Sequence, residues 1–235
     1  MKQRVRFEKR GKVRFLSHRD VARVWERALR RAGIRAAYSE GFSPRPKLSF
    51  GLALSTGYES LGEYLDIDLA EPLAPAELPA LVTPSLPVGM AAQVAIEIPP
   101  GTDSLQQAVT SSTWRLSLTG VTPGELADEV ARVLDLDDLV ISVERKGSQS
   151  SLDARPAILD LSADGTALVA ELATQPRSLR PAELLAAMGP TWGLANALRT
   201  HQWTLVDGAR CEPIPFGDLG ARGATSTPHV EARAS

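Results

Sequence analysis

Hydrophobic positions along the chain recur with two spacings, every second residue where a strand is predicted and every third or fourth where a helix is. Val5 and Phe7, then Val13 and Phe15, alternate on either side of Gly11 and predict extended structure around a turn. A helix over residues 18–33 comes next. Ser17 is placed to cap it, Asp20 completes a variant of the capping box, and Gly33 supplies a left-handed stop. On that helix Val21, Val24 or Trp25, Ala28 and Ala32 recur at three- and four-residue steps, which turns one face toward a sheet. Residues 34–38, 48–54 and 63–69 read as strands, 75–81 as a short helix and 88–98 as a closing strand. The order is strand, helix, strand, strand, helix, strand.

Residues 99–112, PPGTDSLQQAVTSS, have the Pro, Gly, Ser and Thr content of a linker. The same order of elements then repeats. A strand at 114–118 precedes a helix at 123–134, whose apolar residues are Leu126, Val130, Val133 and Leu134. Strands at 139–143, 157–161 and 167–172 follow, the last two around the Asp164-Gly165 turn, before a helix at 181–188 and a strand at 203–206. The fold expected is α+β, two tandem ferredoxin-like (βαββαβ) sandwiches over residues 1–98 and 113–207. Residues 208–235 are polar and rich in Gly and Ala and predict a disordered tail.

The formal net charge of −2 hides a polarised chain. Residues 1–50 carry 15 Lys/Arg against 4 Asp/Glu, whereas the remaining 185 residues carry 11 against 24. A one-sided positive field attracts polyanions through steering and counterion release, so nucleic acid is the leading ligand class. No run of about 18 apolar residues is present to span a bilayer, and no apolar signal-like stretch opens the chain, so a cytoplasmic protein with no membrane partner is expected. The single Cys211 excludes an internal disulfide framework and cannot by itself hold an iron–sulfur cluster or a thiolate zinc site. Neither a Walker sequence nor a dinucleotide fingerprint occurs, and no cofactor is expected to belong to this chain.

The candidate chemistry gathers in the basic segment. Arg19, Arg23, Arg27, Arg30 and Arg31 line the helix face opposite its apolar stripe. Steps of four residues set guanidinium groups about 6 Å apart, close to the spacing of successive phosphates, and the planar group also stacks on bases. Glu26 could instead pair with Arg23 or Arg30, leaving only a solvated face. His18 sits in the first helical turn, where the helix dipole favours a neutral ring. It is compatible with three roles: a base, a phosphate contact at the free amides of the helix end, or a packing residue. The loop SEGFSPRPKLSFG at 39–51 combines two stiffening prolines with Phe42, Arg45 and Lys47, a set suited to single-stranded nucleic acid or to a protein partner. Glu59, Glu63, Asp66 and Asp68 form an acidic run read as the internal answer to the arginines, with Asp66 and Asp68 on an outward strand face. Arg145, Lys146, Asp153 and Arg155 form a smaller polar cluster in the second half.

RFLSHRD at 14–20, ERALRRAG at 26–33, YSEGFSPRPKLSFG at 38–51 and GEYLD at 62–66 closely resemble the radical SAM-linked (radical SAM-associated) family of unknown function. DARP at 153–156 and RPAELLAAMG at 180–189 look like its second half. The resemblance implies a stand-alone relative of the extensions found on cobalamin-binding radical SAM proteins, and an association with ribonuclease E/G-type proteins. With no three-cysteine motif in this chain, the radical chemistry would belong to a partner. The first half also looks similar, at the level of fold, to RNA-processing ferredoxin-like proteins of the CRISPR-repeat type. That analogy keeps an RNA-cleaving role for His18 open. The function expected is an accessory RNA-binding protein that works with a separate radical SAM enzyme in RNA modification or processing. The alternatives are an RNA-processing enzyme using His18 and a protein-only adaptor for the same partner.

Overall fold

The structure is a computed structural model in which residues 1–145, 148–189 and 191–214 are described. Its first half runs β1 (Lys2–Lys9), α1 (His18–Arg31), β2 (Leu48–Phe50), β3 (Glu59–Asp68), α2 (Leu78–Val82) and β4 (Met90–Glu97). Val5 and Phe7 are buried from β1, as their alternation requires. Val13 and Phe15 are not extended: residues Gly11–Phe15 form a 3₁₀ helix. Gly11 takes a left-handed φ of 65°, and the Lys9 ammonium donates to the carbonyls of Arg14 at 3.2 Å and Leu16 at 3.0 Å, which closes the segment into a turn. Residues 34–38 are not a strand either, and make only the isolated bridges Ala36↔Leu69 and Tyr38↔Pro46. Pro44 and Pro46 opposite them lack N–H donors, so a ladder cannot extend there.

The second half continues with α3 (Leu105–Ala108), β5 (Val109–Thr119), α4 (Pro123–Asp135), β6 (Val140–Arg145), β7 (Ser148–Asp153), β8 (Ile158–Asp164), β9 (Ala167–Ala173), α5 (Pro181–Met188), β10 (Gly193–Val206) and β11 (Ala209–Cys211). Residues 105–112, read as linker, thus belong to α3 and β5. Their serines are satisfied inside the sheet: Ser111 donates to Glu171 at 2.6 Å, and Ser112 accepts from the Trp114 indole at 2.9 Å. Of the residues expected in a disordered tail, Ala209–Cys211 form β11 on β10 and Ile214 is buried; residues 215–235 lie outside the described residues. β10 spans 14 residues where only 203–206 were expected. Its inward positions include Arg199, Gln202 and Thr204, so polarity disguised a buried strand.

The molecule is α+β, dominated by one nine-stranded mixed sheet with the β6–β7 hairpin apart from it. The antiparallel run β4-β1-β3 carries β2 on β3, and the antiparallel run β10-β5-β9-β8 carries β11 on β10. With β1 on one edge of β3, the other edge is divided: its later residues take β2, and its first two pair in parallel with β10 at Glu59↔Leu198 and Ser60↔Arg199. One apolar core lies between α1, α2 and the first run; a second lies between α4, α5 and the other, and it receives Leu54 and Tyr58 from the β2–β3 connection. A small third cluster of Tyr64, Leu105 and Ile214 covers the opposite face of the first run. That cover overturns the outward placing of Asp66. The residue is buried, accepting from Arg4 at 2.7 and 3.0 Å, while Arg4 also donates to the carbonyls of Asp103 and Pro213.

The joint between the halves is polar. Arg199 of β10 grips the Glu63 carboxylate at 2.6, 2.7 and 3.0 Å and donates to the Leu52 carbonyl at 2.9 Å, while Gln202 donates to the Gly62 carbonyl at 2.7 Å. Both charges are buried, so removing one strands the other. Arg199→Met should lower the unfolding free energy by about 3–5 kcal/mol in urea titration, and combining it with Glu63→Met should recover much of that loss.

Candidate nucleic-acid interface

The basic helix α1 owes its position to its apolar stripe. Val21, Trp25, Ala28 and Leu29 are buried, and Trp25 meets Phe7 of β1 edge-on at 5.1 Å between ring centres. Both ends are closed by local chemistry. Ser17 accepts from the Asp20 amide at 3.2 Å, and its hydroxyl donates to the Asp20 carboxylate at 2.6 Å. That hydroxyl bond, more than the neighbouring arginines, holds the Asp20 carboxyl below its ordinary pKa. At the other end Gly33, with φ of 72°, donates to Arg30, and Ile34 donates to Leu29 in a Schellman turn. The N-terminus is therefore occupied by its own carboxylate. A phosphate seat beside His18 would face the Asp20 negative charge.

With the stripe inward, Arg19, Arg23, Arg27, Arg30 and Arg31 are placed on the opposite face of α1, and the first four line its open side. The loop after Tyr38 folds back beside α1, anchored by Ser39 N–H on the Arg45 carbonyl at 2.8 Å and Arg45 N–H on the Ser39 hydroxyl at 3.1 Å. Between helix and loop runs an open groove of about 560 Å³. Arg19, Arg23, Arg27 and Arg30 line it from the helix, and Arg45 from the loop. Arg31 and Lys47 stand outside its lining, and Phe42 is fully exposed at the loop tip, away from it.

Many arginines elsewhere are paired, although Arg10, Arg31, Arg155 and Arg180 are not within ion-pair distance of a carboxylate among the described residues. Arg4, Arg14, Arg35, Arg115, Arg132, Arg177, Arg199 and Arg210 each meet a carboxylate. In the groove, Arg23 makes an exposed contact to Asp20 at 3.5 Å, whereas Arg19, Arg27, Arg30 and Arg45 form no ion pair among the described residues. Glu26 lines the groove but is not within ion-pair distance of Arg23 or Arg30 among them. The acidic run is spent elsewhere, Glu59 near Arg14 at 3.6 Å, Glu63 on Arg199 and Asp66 on Arg4. The groove thus gathers four arginines that form no ion pair among the described residues on one open surface.

His18 is not among the groove residues. Its ring meets Phe50 edge-on at 5.3 Å and lines a separate small cavity with Lys9, Gly51 and Glu63. Burial, opposed by Glu63, lowers the Lys9 pKa, and its ammonium is already committed to two carbonyls. In the second half, Arg155 donates to the carbonyls of Leu134, Leu136 and Ile158, and Asp153 accepts from the amides of Leu139 and Arg155. Both serve local structure. Lys146 lies outside the described residues. Among the described residues no group of three or more His, Cys, Asp or Glu could hold a metal ion, and no helix is long and apolar enough to cross a membrane.

Sequence reasoning missed Tyr38, Pro44 and Pro46, which complete the groove wall opposite α1. Tyr38 closes an apolar run, so alternation alone assigns it to a strand; its exposure follows from the broken ladder. Ser17→Ala should cost about 1 kcal/mol in urea titration by freeing the cap. Because the Asp20 pKa is lowered on folding, its support is full above the ordinary carboxylate pKa and is lost as pH falls through the lowered value, a dependence the variant should weaken.

No curated protein matches this chain. A family model covers residues 2–181, more than half of the sequence and the whole of the groove. Through that match the chain belongs to an uncharacterized protein family conserved in bacteria (DUF2344).

Proposed function

We propose that this is a non-catalytic accessory protein that holds RNA in the arginine groove and presents it to a separate radical SAM enzyme. One observation carries the RNA half of this reading: five arginines line a single open groove, and four of them lack a carboxylate partner among the described residues. Guanidinium groups in that state give up little internal pairing when they meet phosphates, and their planar forks suit phosphate oxygens. The enzyme half rests on the resemblance of the quoted motifs to the radical SAM-linked family, whose cobalamin-binding members and ribonuclease E/G-type associates indicate the kind of partner. In this reading the protein acts in the cytoplasm and its second half docks the enzyme. The halves are read as tandem ferredoxin-like units, supported by the orders β4-β1-β3-β2 and β10-β5-β9-β8, each a four-stranded run with helices packed on one face.

RNA cleavage by His18 has less support, since its ring packs on Phe50 and none of the groove arginines lines its cavity. Arg23→Glu combined with Arg27→Glu should abolish RNA retention on filters and leave the circular dichroism spectrum intact, because both side chains line the open groove and not the core. Unchanged retention would reject the groove as the RNA surface. In the wild type, log affinity should fall with log salt, and a variant that neutralises one phosphate fewer should show a slope flatter by about 0.7 on a single strand. A partner complex that survives nuclease yet fails on charge reversal would replace RNA with an acidic protein.

A further inference from the structure

The arginine groove does not end at Arg30. A second cavity of about 520 Å³ adjoins it, and the two share Glu26, Arg30, Tyr38 and Pro46. The second cavity has a different character. Leu29, Gly33, Ile34, Ala36 and Ala70 line it, and its further arginine, Arg35, is held by Glu71 at 2.8 Å. Tyr38 stands at the threshold with 57% of its surface exposed. Its backbone is nonetheless pinned on both sides: Ala37 donates to the Asp68 carbonyl at 2.7 Å, Lys47 to the Ala37 carbonyl at 2.8 Å, and Ser39 to the Arg45 carbonyl at 2.8 Å. An aromatic ring exposed on a fixed backbone needs little further ordering to serve as a platform.

From this arrangement we infer that the groove takes single-stranded RNA, with one base stacked on Tyr38 and turned into the apolar cavity while the flanking phosphates lie along Arg19, Arg23, Arg27 and Arg45. The inference rests on the RNA reading above and specifies its substrate. Phosphates are favoured along the groove arginines, whereas the junction sets the Glu26 carboxylate against Arg30 and the recess beyond is lined by Leu29, Ile34, Ala36 and Ala70, a surface that suits a base rather than a phosphate. A duplex cannot comply, because its bases are paired and stacked inside the helix; only an unstacked base reaches an aromatic platform and an apolar recess. Phe42, the aromatic of the loop tip, lines neither cavity and is not the platform.

The test compares three probes on the full chain by fluorescence anisotropy: an unstructured RNA strand of about 12 nucleotides, its duplex, and inorganic polyphosphate of similar charge. The single strand should bind about tenfold more tightly than the other two. Tyr38→Ala should weaken the single strand about tenfold and leave polyphosphate unchanged, while Tyr38→Phe should keep single-strand binding. Because the ring is exposed, these variants leave the core intact, and circular dichroism checks that. Equal binding of strand and duplex, or a Tyr38→Ala variant that binds the strand like wild type, overturns this inference and leaves the groove as a general RNA surface. Failure of the wild type to bind either RNA probe overturns both readings together.

Discussion

The buried contact between Glu63 of β3 and Arg199 of β10 is the interaction on which the architecture depends. Among the described residues two pairs join the halves of the sheet in parallel register, too few for backbone bonds alone to define the joint. The guanidinium fills that gap. It closes on the carboxylate, reaches the Leu52 carbonyl and lies 5.4 Å over the Trp114 ring, which itself meets Tyr58 edge-on. Bonds of this kind stabilise little in net terms but are directional, and a misaligned joint would leave two buried charges unmet. The polar contact therefore selects one registration of the halves, while the apolar cores on either side supply most of the driving force.

The same economy of carboxylates shapes the surface. Glu59, Glu63 and Asp66 all lie on β3, and each is committed to an arginine of β10, β1 or the 3₁₀ turn. α1 packs through Trp25 and Leu29 on the same run of strands but turns its arginines away from them, where no described carboxylate meets them save Asp20. Positive charge is thus used up at the strands and retained on the helix. The proposed RNA site is a place where the fold gathers several cations without carboxylate partners, and the proline-stiffened loop adds one more.

Much of this was legible from local signals. The Ser17 cap, the Gly33 stop and the three-to-four-residue stripe define α1, because capping and amphipathicity act within a few residues. The arginine face followed from the same periodicity. Elements whose character depends on distant partners were not legible. β10 hides its burial behind Arg199 and Gln202, which are inward only because Glu63 and Gly62 receive them across 136 and 140 positions of chain. Asp66 reads as an outward residue until Arg4, Asp103 and Ile214 cover that face.

By itself, then, the sequence determined that a basic amphipathic helix would form, which of its faces would carry the arginines, and that strands and helices would alternate in an α+β chain. Only the tertiary structure decided which cations are neutralised, that Arg45 and Tyr38 face α1 across a groove while Phe42 does not, and that His18 turns to Phe50. The reason is physical: helix formation and facing are set by neighbours in the chain, but desolvation and charge pairing are set by neighbours in space.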